Sequence, residues 1–411
     1  MSAALSTLAA FLVAGAPVAF SLIAAGAIYL VWSGAPLSTL SSHLFASLDS
    51  AAIMTIPFFV LAAEILARSG ATRDMVALVA RTAGGNRGNL PIVAVLSCAF
   101  FGAICGSSTA TAAAIGVVLI PEMVKQGYDK RFCVGLVATA GGLGMLIPPS
   151  IPLIVYGVVT DTSIGDLFAA AIVPGLLLTT LLCLAAYVVG RRVPVQDDIS
   201  EPSFDGASPR RGLFLVVMPV LVLGGIYTGL FTPTEAASVS VLYALLLAFV
   251  VYRMPIEQFA QILGSAAATT SIILLIMAGA ALVGYAVTAE RAPHAVFMWI
   301  KEANVDRATL MLILAGCFLI AGMLLEVLSI ILIAMPILIP VLVGADIDLV
   351  AFGVLLIVNM ELAVITPPIG LNLFVISSIS KMRVQEVFAG TLPFALTLMV
   401  ALLGMIGWVL L

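Results

Sequence analysis

The segment LIPP at residues 146–149 recurs as ITPP at residues 365–368, an offset of 219 positions. The same offset pairs LIP at 119–121 with LIP at 338–340 without a gap, and it aligns further prolines and acids. Apolar letters often agree by chance in a hydrophobic chain, whereas prolines and acids in register do not. A fixed period of this kind is typical of an internal duplication. We therefore interpret the chain as two repeats of one unit.

The composition indicates that this duplication lies in a membrane. The 411 residues are 63% hydrophobic and 9% charged, whereas an ordinary soluble domain is roughly 25% charged. The charges fall in short clusters between long apolar stretches, which is typical of many membrane-spanning helices. The pattern predicts an all-α polytopic membrane protein, and no nucleic-acid partner is expected.

Each repeat is predicted to contain one apolar segment interrupted in its middle and one helix broken at the Pro-Pro pair. The first repeat is predicted at 1–192, with the interrupted segment near 90–122 and the broken helix near 132–160. A polar linker is predicted at 193–210. The second repeat is predicted at 211–411, with the interrupted segment near 309–343 and the broken helix near 351–380.

Loop charge predicts how the repeats are oriented. The loops at 68–89 and 122–131 carry seven Lys or Arg against three Asp or Glu, while those at 290–308 and 344–350 carry three against five. Basic loops stay on the cytoplasmic side of a bacterial inner membrane. The two repeats are therefore expected to be inverted, with a cytoplasmic linker and both termini periplasmic.

The first interruption is GAICGSSTATAAAIG at 102–116. Each flanking arm has about 14 residues, or roughly 21 Å of helix, which is short of the roughly 30 Å hydrocarbon core. A re-entrant hairpin whose tip is buried in protein or lines a cavity fits these lengths. Two tilted crossings joined by a Ser/Thr packing face remain the alternative.

In the second repeat, Glu326 stands opposite Ser107 of the first. An acid within the membrane is expensive and usually functional. The alternative is a structural role, in which the carboxylate caps the N-terminus of a hairpin helix.

The Pro-Pro pairs predict unwound helices, because proline removes a backbone donor and clashes with the preceding turn. Carbonyl and hydroxyl oxygens freed there are hard ligands suited to Na⁺, and half-helix N-termini aimed at the same point would hold an anion. A single proline kink is usually only structural. Two matching breaks, each paired with a matching interruption, favour an ion site.

These residues resemble the large membrane subunit of the tripartite ATP-independent periplasmic (TRAP) transporters, which are part of the ion transporter superfamily. The resemblance covers essentially the whole chain, and the matching runs are GSSTATAAAIGVVLIPEM, LGMLIPPSIPLIVYGVVTDTSIGDLFAAAIVPG, GGIYTGLFTPTEAASVSVLYALLL and NMELAVITPPIGLNLFVISSI. It implies an inner-membrane permease, not an enzyme, that imports an organic anion of C4-dicarboxylate, sialic acid or sugar-acid type. The implied mechanism is a Na⁺-coupled elevator, with no cofactor beyond the coupling ion.

The resemblance also implies two partners. One is a small four-helix membrane subunit, which we expect on a separate chain because Met1 leads straight into the large-subunit pattern. The other is a periplasmic substrate-binding protein that delivers the anion.

The family's binding residues are carried onto this chain by position. Na⁺ is expected at two sites, and the substrate is expected between the two hairpin tips. The Na⁺ candidates are Ser107, Ser108, Gly141, Gly142 and Ile147 in the first repeat and Gly322, Glu326, Asn359 and Thr366 in the second, and the substrate candidates are Ser108, Thr109, Asn359 and Pro368.

Three other functions are compatible with parts of the pattern. A one-component Na⁺/dicarboxylate or antiporter-type relative would share the architecture but need no binding protein. An intramembrane protease would need a base, yet the two histidines, His43 and His294, lie outside the broken helices, and neither HExxH nor GxGD occurs. A passive channel suits two inverted hairpins less well than alternating access does.

Overall fold

The computed structural model describes residues 2–36, 38–83, 89–191, 204 and 206–410, and the described part is helical throughout. The helices of the first half are α1 (Ser2–Val13), α2 (Val18–Ser33), α3 (Ser38–Ala46), α4 (Thr55–Arg68), α5 (Ala71–Thr82), α6 (Leu90–Cys105), α7 (Ser108–Lys125), α8 (Lys130–Ala140), α9 (Leu143–Leu146), α10 (Ile151–Thr160) and α11 (Ile164–Gly190). Those of the second half are α12 (Pro209–Tyr227), α13 (Pro233–Leu246), α14 (Ile256–Ala289), α15 (Ala292–Glu302), α16 (Arg307–Gly322), α17 (Val327–Gly344), α18 (Leu349–Ala363), α19 (Leu371–Ser380) and α20 (Val384–Val409).

Within the described ranges, nine helical stretches are long and apolar enough to cross a bilayer. The prediction of an all-α polytopic membrane protein is confirmed. Most of the polar linker predicted at 193–210 lies outside the described residues.

Two helices occupy segments that the sequence presents as loops. Helix α5 lies within 68–89 and α15 within 290–308. Helix α5 buries an apolar stripe that includes Met75 and Val79, and its spacing of three to four residues is that of an amphipathic helix. Counting charges along the chain identifies the polar face of such a helix and misses the apolar one.

The helices form two packed groups. Helices α1, α2, α4, α13 and α14 pack chiefly on one another, and α6–α11 pack with α16–α20. We call the first group the frame and the second the inner block. Contacts of α14 with α17 and of α4 with α6 and α10 join them. Both hairpin tips and both Pro-Pro breaks lie in the inner block, where α4 and α14 face them.

Helix boundaries in the inner block follow local chemistry. Asp306 caps α16, and its carboxylate accepts hydrogen bonds from the Thr309 hydroxyl and from the backbone N–H groups of Ala308 and Thr309. These bonds hold the pKa of Asp306 below its usual value, and the bond from the Thr309 side chain has the largest effect. Asp348 caps α18 in the same way, through the backbone N–H of Ala351.

A buried carboxylate ties the start of the second half to the first. Asp74 on α5 is 3% exposed. Its Oδ1 accepts a 2.6 Å hydrogen bond from the backbone N–H of Ser208, and its Oδ2 lies 3.1 Å from Nε of Arg211 on α12. The Arg211 guanidinium also stands over the ring of Tyr252. Asp74 thus fixes where the chain re-enters the membrane domain.

We expect Asp74→Asn to lower the free energy of unfolding by about 1–3 kcal/mol, because the amide cannot neutralise the Arg211 guanidinium. Denaturant titration of the purified protein in detergent would measure the change. Asp346→Asn is the matched control, since Asp346 pairs with Arg307 but is 88% exposed. Its effect should stay within about 0.5 kcal/mol. Equal effects of the two substitutions would contradict a structural role for the buried pair.

Candidate functional site

The first hairpin tip is seated directly on the first Pro-Pro break. Helices α6 and α7 are joined by Gly106 and Ser107 alone, and Gly106 has a φ of 61°. The backbone N–H of Ile151 donates a 3.3 Å hydrogen bond to the Gly106 carbonyl. A Cβ at Gly106 would lie 2.6 Å from the Pro149 carbonyl oxygen. The left-handed backbone and this close approach together require glycine.

The two serines of this tip have different partners. Ser107 is the N-cap of α7, and its Oγ accepts a 3.5 Å hydrogen bond from the backbone N–H of Ala110. Ser108 is buried, and its Oγ donates a 2.9 Å hydrogen bond to Oδ1 of Asn372. Nδ2 of Asn372 in turn donates to the Ala138 carbonyl at 2.9 Å. Asn372 therefore links the second break to the first hairpin and to α8.

The break between α8 and α10 leaves a carbonyl available. The Gly141 and Gly142 carbonyls accept bonds from the N–H groups of Gly144 and Met145 in a tight turn. The Ile147 carbonyl accepts no backbone hydrogen bond among the described residues. The next two residues are prolines joined by a cis peptide bond, and they have no N–H to offer. Of the three backbone candidates in the first repeat, Ile147 has the freest oxygen.

The second tip sits on the second break in a similar way. The backbone N–H of Ile369 donates a 3.1 Å hydrogen bond to the Met323 carbonyl, just beyond Gly322 at the end of α16. Glu326 is the residue before α17 and makes no capping hydrogen bond through its side chain. The carboxylate thus makes no direct capping bond, although its position at the N-terminus of α17 still suits a negative charge.

The other three candidates named in the second half are Asn359, Thr366 and Pro368. Nδ2 of Asn359 donates to the Ala315 carbonyl at 2.8 Å, while its buried Oδ1 has no hydrogen-bond partner among the described residues. The Thr366 hydroxyl donates to the Leu362 carbonyl at 2.6 Å. Pro368 is joined to Pro367 by a cis peptide bond.

A cavity of about 380 Å³ lies between the two tips and the frame helices α4 and α14. It brings together four of the sequence candidates: Ser107, Ser108, Thr109 and Glu326. The other candidates do not line it: Gly141, Gly142, Ile147, Gly322, Asn359, Thr366 and Pro368. The cavity thus joins hydroxyl groups of one tip to a carboxylate of the other.

Some residues with evident chemistry were not among the sequence candidates. Glu64 of α4 lines the cavity from the frame side. Glu361 of α18 is 1% exposed, and its Oε1 has no hydrogen-bond partner among the described residues. Its side chain fills the space beside Gly142, where an added Cβ would lie 3.3 Å from Cγ of Glu361. Glu361 and Asn372 flank the second break in the sequence, and Glu64 is an acid within an apolar span, so each carried a usable signal.

Comparison with known proteins places this arrangement in a family. A family model described as the tripartite ATP-independent periplasmic transporter, DctM component, matches residues 5–410. The chain belongs to this family. The sequence-based recognition of a TRAP large permease is confirmed.

Two relatives and one solved structure illustrate the match. The chain is 38% identical to the C4-dicarboxylate TRAP large permease DctM of Pseudomonas aeruginosa, over 91% of this chain and 88% of that one. It is 32% identical to the sialic acid TRAP large permease SiaM of Vibrio cholerae, over 95% and 92% of the two chains. The crystal structure of the YdaH transporter from Alcanivorax borkumensis superposes with a TM-score of 0.66 at 15% identity, over 90% of this chain and 87% of that one. That likeness concerns the fold alone.

We expect Ser108→Ala to lower the free energy of unfolding of this TRAP permease by about 1–3 kcal/mol, because the buried Asn372 Oδ1 loses its donor. Denaturant titration in detergent measures the effect. Ser41→Ala serves as control, since the Ser41 hydroxyl bonds to the Ser38 carbonyl at an exposed position, where a change within about 0.5 kcal/mol is expected. A loss at Ser108 no larger than at Ser41 would show that the Asn372 bond is not needed.

Proposed function

We propose that this TRAP large permease is the translocating subunit of a Na⁺-coupled importer of an organic anion in the bacterial inner membrane. The observation that carries the proposal is the cavity lined by Ser107, Ser108 and Thr109 of one tip and by Glu326 of the other. Convergent oxygen ligands from two hairpin tips suit a small hard cation. The N-terminal end of α7 at the same point suits an anionic group.

The proposed architecture is two inverted repeats, 1–192 and 211–411, each with a re-entrant hairpin and a broken helix. Four observations support it: the 219-residue offset, the opposite loop charges, the two-residue tip between α6 and α7, and the helix breaks at equivalent Pro-Pro pairs. In this orientation both termini are periplasmic and the linker is cytoplasmic.

Two Na⁺ sites are proposed, one at each tip. The first uses the Ser107 and Ser108 hydroxyls with backbone oxygens at Gly141, Gly142 and Ile147, of which the Ile147 carbonyl has no backbone partner. The second uses the segment from Gly322 to Glu326 with Asn359 and Thr366, and the unpaired Oδ1 of Asn359 supports it. An ion at either site would compensate polar atoms that are costly to bury alone.

The substrate is proposed to bind between the tips, near Ser108, Thr109, Asn359 and Pro368. Its class is an organic acid, in keeping with C4-dicarboxylate and sialic acid permeases among the relatives, and sugar acids remain within that class. Transport is proposed to proceed by sliding of the inner block against the frame, with a small four-helix subunit on a separate chain and a periplasmic binding protein that delivers the anion.

Na⁺ coupling is tested by uptake into proteoliposomes that contain the large and small subunits, with the binding protein outside. Each positive charge that crosses at 100 mV supplies about 2.3 kcal/mol, so more than one Na⁺ per anion would give useful accumulation. An inward Na⁺ gradient should then drive uptake of labelled succinate, N-acetylneuraminate or 2,3-diketogulonate. Accumulation that ignores the Na⁺ gradient would contradict the proposal. Uptake that persists without the binding protein would instead favour a one-component carrier.

A serine variant locates the ion. Ser107→Ala should raise the Na⁺ concentration for half-maximal uptake about tenfold, if the lost oxygen contributes about 1.4 kcal/mol. Ser163→Ala is the matched control, because Ser163 caps α11 through the Asp166 N–H but lies outside the cavity. A similar shift in both variants would assign the effect to helix capping and not to ion binding.

A further inference from the structure

The charges on the walls of the main cavity do not suit an anion. Its charged lining residues are Glu64 on the frame and Glu326 on the second tip, and no Lys, Arg or His is among the described residues that line it. A carboxylate substrate entering this cavity meets two groups of its own sign. Na⁺ at the second tip would neutralise Glu326, but Glu64 lies on the opposite wall and needs another partner.

That partner is Arg68, one helical turn beyond Glu64 at the end of α4. Nε of Arg68 donates to Oε2 of Glu64 at 3.1 Å, and Nη2 donates to the hydroxyl of Ser265 on α14 at 2.7 Å. The guanidinium is therefore held between two frame helices. A planar group fixed in this way is pre-organised for a carboxylate.

Arg68 has bonding capacity left after these contacts. The two N–H donors of its Nη1 have no partner among the described residues, and the Arg68 side chain is 45% exposed. Glu64 and Ala67 line the cavity on either side of the same helical turn. Arg68 itself does not line the cavity, but Ala67 beside it does, and so does Thr269, one turn after Ser265. The guanidinium therefore lies next to the cavity, at the end of α4.

We propose that Arg68, oriented by Glu64 and Ser265, is an anion-binding subsite on the frame wall next to the cavity. It binds the carboxylate of an organic anion that occupies the cavity. The inference rests on the proposed function of organic-anion transport. In it the tip supplies hydroxyls and backbone dipoles, and Arg68 supplies a positive charge from the frame.

A simpler role for Arg68 is that it only neutralises Glu64. The two roles are separated by a double-mutant cycle, which isolates the pairwise term between neighbouring residues. Arg68→Gln leaves the Glu64 carboxylate unpaired, whereas Glu64→Gln combined with Arg68→Gln removes both charges and keeps the net charge of the wall. If Arg68 binds the anion, the double variant stays defective. If it only neutralises Glu64, the double variant behaves like the wild type.

The measurement is calorimetric titration of the purified large and small subunits in saturating Na⁺, with succinate, N-acetylneuraminate and 2,3-diketogulonate as probes. Arg68→Gln is expected to weaken binding of the preferred probe about tenfold, as for loss of a hydrogen bond to a charged group. Glu64→Gln should bind at least as tightly as the wild type, and the double variant should remain about tenfold weaker. Thermal melting of each variant checks that it is folded.

Lys125→Gln is the matched control for general loss of positive charge on the cytoplasmic side. Lys125 pairs with Glu122 on α7 and its side chain is 73% exposed. Unlike Glu64, the partner of Arg68, Glu122 does not line the cavity. Its substitution should leave binding unchanged. Wild-type affinity in Arg68→Gln or in the double variant overturns the subsite alone. A wild-type complex that binds none of the three probes overturns the proposed function, and the subsite with it.

Discussion

The need to satisfy backbone groups in a medium without water governs the inner block. Hydrocarbon offers no hydrogen bonds, so irregular backbone at membrane depth must find its partners within the protein. Here each unwound stretch is bonded to the tip of a hairpin, Ile151 to Gly106 and Ile369 to Met323. Tips and breaks therefore form one folded unit in each half. The oxygens left over, such as the Ile147 carbonyl, lie where an ion could use them.

Much of this arrangement could be predicted from the sequence, because its signals are local. Proline and glycine act on the backbone next to them. Helix α10 accordingly begins just after the first Pro-Pro pair, and α7 begins just after Gly106 and Ser107. The charge pattern does not predict the amphipathic helix α5, because the charges describe only its polar face and make the segment look like a loop. The role of Glu64 was hidden for another reason. Its place in the cavity depends on how α4 packs against a tip about forty residues further along the chain, and no local pattern records such a contact.

The site candidates also differ in how well the sequence alone locates them. Ser107, Ser108 and Thr109 line the cavity because they form the first tip, whose position follows from the break in the sequence. For Asn359 and Thr366 the residue type was informative, but the direction of the side chain was not. Their hydrogen bonds lead to Ala315 and Leu362 and not to the cavity. The Asn359 bond depends on the packing of α16 and α18, which the spacing of residues along one helix does not determine. The Thr366 bond is local, because its acceptor lies four residues earlier in the chain.

The contact between Gly142 and Glu361 has a consequence for the history of the chain. These positions are 219 residues apart, so under the proposed duplication they descend from one ancestral position and now touch each other. A side chain added at Gly142 would crowd Glu361, so this contact has room for one large side chain only. Under the proposed duplication, the two copies could not both carry a large residue here. The observed pair meets that limit, with a carboxylate on one side and a glycine on the other.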